Sequence, residues 1–168
     1  MIRLKNILLM GVLFCITFFC YTAEKRKIVI LDFQNLTSFN AYDFLGNHIQ
    51  KYFHDNLRNP FDVIPKAQYS QLVSEITAIS PNYLFDRNIG MQICRVLNLY
   101  AVIMGRYNCT LASTGDITKV SLELMLITDF GNKIETMRES ADCTKETLLQ
   151  TVNSISAKLA AALVRNMR

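Results

Sequence analysis

The chain has 168 residues, a length that suits one domain with a short appendage. Hydrophobic residues make up 51% of it and charged residues 19%, which is too apolar for a disordered protein and ample for a packed core. The formal net charge is only +4, and Arg3 and Lys5 contribute to it within the first 23 residues. A nucleic-acid-binding protein needs a clustered basic face, so we expect no nucleic-acid partner.

The first 23 residues have the pattern of an export signal. Arg3 and Lys5 precede an apolar run at residues 7–21, and a basic start followed by roughly 15 apolar residues is typical of a secretory signal. The run is short for a membrane span, which needs about 20 apolar residues. We therefore predict a signal peptide or short membrane anchor at residues 1–23 and a single domain at residues 24–168.

The fate of this segment has three alternatives. Cleavage after Ala23 would place Tyr21 where a small residue is preferred, so the segment is either cleaved or retained as an anchor. Cys20 is a candidate for lipidation, although Phe19 stands where the lipidation motif requires a small residue. All three alternatives place the protein in the periplasm or cell envelope, with membrane attachment through the N-terminus in two of them.

The first half of the domain alternates strands and helices. Residues 27–33 (KIVILDF) form a short apolar run typical of a buried strand, and we predict the central strand of a sheet there. Apolar residues at helical spacing predict the first helix at residues 42–57, capped by Ser38 or Asn40. Further periodicity predicts a strand at 61–64, a helix at 68–79 and a helix from a cap at Asp86 to Leu97.

The second half changes to the period of strands. Residues 100–109, 118–129 and 133–143 are joined by turn-forming segments that contain Gly115 and Gly131, which predicts an antiparallel meander. A long amphipathic helix follows at residues 145–167, with one apolar side formed by Leu148, Leu149, Val152, Ile155, Leu159, Ala162 and Leu163. The predicted fold class is α/β (α+β), a mixed sheet with an antiparallel C-terminal meander and helices packed on it.

Catalytic and metal-binding patterns are absent from the sequence. His48 and His54 are six residues apart on one predicted helix, so they point to different faces and cannot share a metal ion. No phosphate-binding glycine loop and no nucleophile motif occurs. Of the cysteines in the domain, Cys94 is expected to be a buried free thiol, and Cys109 and Cys143 are candidates for a disulfide.

One polar cluster and one apolar cluster are candidate binding residues. Asp32 ends the first strand, where open α/β sheets place ligands, and with Asn35 and Thr37 it is the candidate site for a small anion. The alternative for Asp32 is a structural anchor for the loop at residues 34–37. Some apolar groups have no evident place in a core and either form an exposed docking patch or pack beneath the loops, namely Phe39, Phe44, Tyr107 and Thr110.

Several short motifs resemble those of the TolB amino-terminal-like families, which include the flagellar protein FlgO, the curli secretion protein CsgG and the LpoB activator of peptidoglycan synthase. The matching segments are KIVILDFQNLT at residues 27–37, FDVIPK at 61–66, ICRVLNLYAVIMGRY at 93–107 with Gly105 as the recurring glycine, and LELMLITDFGNKI at 122–134. The resemblance covers roughly residues 27–163. It implies a domain that binds envelope proteins and is not an enzyme.

Two departures from these families reduce the number of functions that we expect. The chain lacks their clear lipidation motif, and it lacks the long membrane-inserting segments of the curli pore, so a secretion channel is not expected. The leading prediction is a non-enzymatic exported envelope protein that acts as an interaction or assembly-accessory module, with flagellar or cell-wall machinery as candidate partners. The alternative is a periplasmic small-ligand-sensing domain. No cofactor is expected in either case.

Overall fold

The computed structural model describes residues 24–77 and 85–167, so the predicted export segment lies outside the described residues. The strands are β1 (Lys27–Asn35), β2 (Asp62–Val63), β3 (Ala101–Leu111), β4 (Ile117–Thr128) and β5 (Lys133–Asp142). The helices are α1 (Phe44–Leu57), α2 (Lys66–Thr77), α3 (Arg87–Val96) and α4 (Leu148–Asn166). None of these helices has the length and apolar character needed to cross a membrane.

The strands form one mixed sheet in the order β2-β1-β3-β4-β5. Strand β1 pairs in parallel with β2 and β3, and the remaining pairs are antiparallel. The predicted fold class and meander are confirmed, but the prediction that the first strand is central is wrong. Strand β3 is central, because β2 is a two-residue strand on the outer side of β1 while the meander adds two long strands beyond β3.

Two apolar clusters lie on opposite faces of the sheet. Helices α1 and α4 cover one cluster, and helices α2 and α3 cover the other. Strand β1 contributes to both, with Ile28, Ile30 and Phe33 on the first side and Val29 and Leu31 on the second. A strand covered on both faces has no side facing water, which is why residues 28–31 of β1 are all apolar.

Of the two helix caps predicted from the sequence, the structure contains one. The Asp86 carboxylate accepts bonds from the backbone N–H groups of Asn88 and Ile89, at 2.7 and 3.3 Å, so the predicted cap of α3 is confirmed. The predicted cap of α1 by Ser38 or Asn40 is wrong. A 3-10 turn precedes α1, and Asp43 follows it with its N–H donating to the Asn40 carbonyl. The Asp43 carbonyl accepts from Gly46 N–H at 3.1 Å, and no side chain caps the helix.

Helix α4 begins at Leu148, three residues later than predicted. Most of its predicted apolar side is buried, but Leu149 is 45% exposed, which contradicts its assignment to that side. Leu148 already occupies the buried position at the first turn, and the next residue is rotated by about 100° away from the sheet. Leu149 thereby becomes part of the surface described below.

Candidate protein-interaction surface

The loop between β1 and α1 is fastened to the sheet by hydrogen bonds from both of its ends. Leu36 N–H donates to the carbonyl of Tyr107 at 2.9 Å, and Cys109 N–H donates to the Thr37 hydroxyl at 2.9 Å. The Asn35 side chain accepts from Thr37 N–H at 2.8 Å and donates to the Asp43 carboxylate at 2.7 Å. These bonds fix the backbone of a loop whose apolar side chains are largely exposed.

The Tyr107 side chain is buried beneath this loop and forms a hydrogen bond to its backbone. Its hydroxyl donates to the backbone carbonyl of Tyr42 at 3.0 Å, and its ring is 1% exposed. Burial raises the pKa of Tyr107 to about 12, the neighbouring Asp43 carboxylate acts in the same direction, and a hydrogen bond to the Gly46 backbone partly opposes them. The hydroxyl therefore stays protonated and remains a donor throughout the physiological range.

Four large apolar side chains point outward from this end of the molecule. They are Leu36, Phe39, Phe44 and Leu149, with exposed fractions of 46, 54, 51 and 45%. In the part of the chain that the structure describes, Val96 is the remaining large apolar side chain in the exposed class, and it lies on α3 at the other face of the sheet. We call these four residues the distal apolar patch.

Helices α1 and α4 bring Leu149 to the other members of the patch. The His48 ring and the Asn153 amide oxygen lie 2.8 Å apart, and the two helices line one groove further along their length. Phe44 lies one turn before His48, and Leu149 lies one turn before Asn153. Side chains four residues apart share a helix face, so Phe44 and Leu149 lie at the same end of the helix pair.

The predicted docking residues therefore separate into two groups. Phe39 and Phe44 are exposed, so the expectation that they pack beneath the loops is wrong for them. For Tyr107 that expectation is confirmed, because its ring belongs to the core. Thr110 is exposed in β3 and its carbonyl accepts from the Thr118 hydroxyl. Leu36 and Leu149 were missed, because the sequence shows an apolar residue but not the direction of its side chain.

The three predicted ligand-binding residues do not converge on one site. Asp32 accepts from the Gln50 amide at 3.0 Å and from the Lys66 ammonium at 2.5 Å. Asn35 and Thr37 instead bond to each other, and the Thr37 hydroxyl accepts from Cys109 N–H of β3. The anchor role predicted for Asp32 thus belongs to Asn35, and Asp32 links β1 to α1 and α2.

A small cleft of about 260 Å³ lies close to Asp32, and its lining includes Lys51, His54 and Tyr69. The Tyr69 hydroxyl donates to the Ile30 carbonyl at 2.8 Å, and burial with the nearby Asp32 charge raises its pKa. Among the described residues, no group of three or more His, Cys, Asp or Glu side chains is arranged to hold a metal ion.

The three cysteines in the described residues are buried free thiols. The expectation for Cys94 is confirmed, and its thiol donates to the Leu99 carbonyl at 3.3 Å. Burial raises the pKa of Cys109 and of Cys143. Strand β4 separates these two residues, and two strand spacings of about 4.8 Å exceed the Cα separation of roughly 7 Å that a disulfide allows.

Comparison with solved structures finds this architecture in bacterial proteins. The LpoB C-terminal domain from Salmonella enterica superposes with a TM-score of 0.51 at 16% identity, covering 73% of this chain and 87% of that one. This chain has an LpoB-like fold. Lipoprotein GNA1162 from Neisseria meningitidis superposes with a TM-score of 0.53 at 12% identity, covering 80% and 96%. No protein-family model matches the sequence, and no curated protein matches it either.

Proposed function

We propose that this protein is a non-enzymatic accessory module of the bacterial cell envelope that binds a protein of the cell-wall machinery through the distal apolar patch. The observation that carries the proposal is the patch itself, four exposed apolar side chains gathered at one end of the molecule. The LpoB-like fold supports the assignment to cell-wall machinery, and the export pattern of residues 1–23 supports the envelope location.

The chemistry of the patch favours a protein partner with an apolar surface. Aromatic side chains often anchor interfaces, because burying one ring stabilises a complex by about 1.5–3 kcal/mol. Phe39 and Phe44 provide two such rings, and the hydrogen-bonded loop holds the backbone of Phe39 in place before binding. A surface held in place in this way loses little conformational entropy when a partner binds.

The small-ligand alternative lacks a comparable observation. Asp32, Asn35 and Thr37 each use their polar atoms on other parts of the same chain, and they lie in two separate groups. The cleft near Asp32 is lined largely by exposed or half-exposed side chains. We therefore propose the interaction module alone.

The test is recovery of partners from detergent-solubilised envelopes with the tagged full chain. Three forms are compared by mass spectrometry: the unchanged protein, the double variant Phe39→Ser/Phe44→Ser, and the control Val96→Ser. Val96 is 57% exposed on α3, so its replacement removes a similarly exposed apolar side chain from another face. Thermal unfolding of each form verifies that folding is retained.

The proposal predicts a cell-wall-synthesis protein that is recovered with the unchanged chain and with Val96→Ser but is lost with the double variant. A loss of about 3 kcal/mol or more from two rings would weaken binding by over a hundredfold. Equal recovery of the same proteins with the double variant would show that the patch does not carry the interaction.

A further inference from the structure

The described chain begins at the end of the sheet that lies opposite the distal apolar patch. Residues 24–26 precede β1, which begins at Lys27, and Leu36 follows the last residue of the same strand. A nine-residue strand is about 30 Å long. The predicted export segment therefore joins the domain about one strand length away from the patch.

Five cations gather at this end, which we call the basic end. Lys25, Arg26 and Lys27 come from the incoming chain, Arg58 follows α1, and Arg165 lies in the last turn of α4. Contacts bring these segments together, because the Lys25 ammonium donates to the Arg58 carbonyl at 3.2 Å and the Arg26 guanidinium donates to the Met167 carbonyl at 2.6 Å.

Few carboxylates balance these charges. No ion pair involves any of the five cations within the described part of the chain. Glu24 adjoins Lys25 in the chain, and Asp62 lies opposite Lys27 in the sheet register. Glu135 also lies at this end, because its carboxylate accepts from the side chain of Asn166, beside Arg165, at 2.5 Å, and it forms an ion pair with Lys133. The five cations thus outnumber these three acidic neighbours by two.

Helix capping explains two of the five cations. Lys25 and Arg26 satisfy carbonyls at the C-terminal ends of α1 and α4, where the helix dipole favours positive charge. Arg26 also stacks on the Tyr100 ring, with 4.4 Å between its guanidinium carbon and the ring centroid. Arg58 and Arg165 lie at the same two helix ends, where the dipole also favours their charge. Within the described residues, no hydrogen bond engages the charged groups of Lys27, Arg58 and Arg165, and all three residues are exposed.

We propose that the basic end rests on an anionic membrane surface, with its cations facing acidic phospholipid headgroups and the distal apolar patch directed away from the bilayer. The inference rests on the envelope location in the proposed function and on retention of residues 1–23 as a membrane anchor. The apolar run ends at Tyr21, so three residues separate it from Lys25, and the chain from Tyr21 to Lys25 spans at most about 14 Å. Basic residues this close to an apolar segment lie within reach of headgroup charge.

The test compares the full chain bound to vesicles of phosphatidylcholine alone with the full chain bound to vesicles that also contain phosphatidylglycerol. Hydrogen exchange is measured in the segments around residues 24–27, 58–63 and 164–167. The apolar run is present with both lipids, and the attraction of Arg3 and Lys5 to anionic lipid is the same in all the variants compared below. We expect exchange in these segments to be slower on the anionic vesicles, because each cation in contact should raise the affinity for the anionic surface by roughly fivefold.

Matched variants test whether the cations of the basic end cause the difference between the two lipids. Lys27→Gln/Arg58→Gln/Arg165→Gln leaves Lys25 and Arg26 in place and should strongly reduce the difference between the two lipids. Lys51→Gln/Lys119→Gln/Lys145→Gln removes three exposed cations elsewhere and should preserve it. Salt at about 1 M, where the Debye length is about 3 Å, should abolish it.

Equal exchange on the two kinds of vesicle would overturn the proposal. Equal protection by free glycerol phosphate would also overturn it, in favour of a small phosphate site. The two proposals can fail separately. If an envelope protein is still recovered in a patch-dependent way but exchange does not depend on the lipid, the membrane orientation is refuted and the proposed function stands.

Discussion

Gly105 shows how one residue can be required by its neighbours. A Cβ atom at this position would lie 2.0 Å from one carbon of the Phe33 ring and 2.3 Å from another. That ring stacks on Phe53, with 5.7 Å between ring centroids, so it has little freedom to move. The family resemblance singled out Gly105, and the structure provides the physical reason, which is the close packing of an aromatic ring over β3.

The buried tyrosines predict a loss of stability at alkaline pH. An unfolded tyrosine ionises near pH 10, whereas burial raises the pKa of Tyr107 to about 12 and also raises that of Tyr69. The folded state therefore keeps the protons of these tyrosine hydroxyls to a higher pH than the unfolded state does. The resulting contribution to the free energy of unfolding is complete below about pH 10 and is lost as the pH rises towards 12. We expect the melting temperature, followed by circular dichroism, to fall over this window.

Tyr107→Phe should make that decline shallower, with Tyr69 responsible for part of what remains. Below pH 10 the variant should be less stable by about 1 kcal/mol, because the Tyr42 carbonyl loses a donor. Tyr52→Phe, at a half-exposed position of α1, is the control and should leave the pH dependence unchanged. Identical alkaline profiles for Tyr107→Phe and the unchanged protein would contradict the assignment.

At the scale of elements, the sequence located helices better than it located their starts. Asp86 was identifiable because a side chain caps α3, and side-chain identity is visible in a sequence. The start of α1 was not identifiable, because a 3-10 turn leads into it and the Asp43 carbonyl accepts from Gly46 N–H, and any residue can provide such a backbone acceptor. A helix start that is capped by backbone groups therefore has no characteristic residue in the sequence.

Asp86→Ala should destabilise the protein by about 1 kcal/mol, because two backbone N–H groups at the start of α3 lose their acceptor. The change is measured as the free energy of unfolding in urea. Asp86→Asn keeps a capping oxygen and should recover most of the loss. If Ala and Asn at this position were equally destabilising, the lost charge rather than the cap would be responsible.

At the scale of the whole molecule, β1 joins the two cores. Val29 and Ile30 are 0 and 3% exposed, and they pack into opposite clusters. Strand β1 is not the central strand, yet it is covered by helices on both faces and paired on both edges. A defect in β1 therefore affects both layers of helices at once.

Val29→Asp and Ile30→Asp should each abolish cooperative unfolding. Burying an unpaired carboxylate costs several kcal/mol or more, comparable to the whole stability of a domain of about 5–15 kcal/mol. Thermal unfolding by circular dichroism measures the effect. Thr136→Asp, at an exposed position of β5, is the control and should retain the transition. A cooperative transition in either core variant would refute the burial of β1.

The sequence by itself determined the elements, because periodicity and continuous apolar runs report which sides of a helix or strand are buried. It specified the β1 run, the stripe of α1, the Asp86 cap and the order of the meander. It also predicted an exported domain without a catalytic motif, and the export segment stays a prediction.

Only the tertiary structure decided where elements and side chains lie relative to one another. Sheet order made β3 central, and the separate bonding of Asp32 and Asn35 showed that the predicted ligand residues form no single site. The distal apolar patch required the pairing of α1 with α4 and the direction of Leu149. These properties arise from contacts between residues far apart in the chain, which local periodicity does not encode.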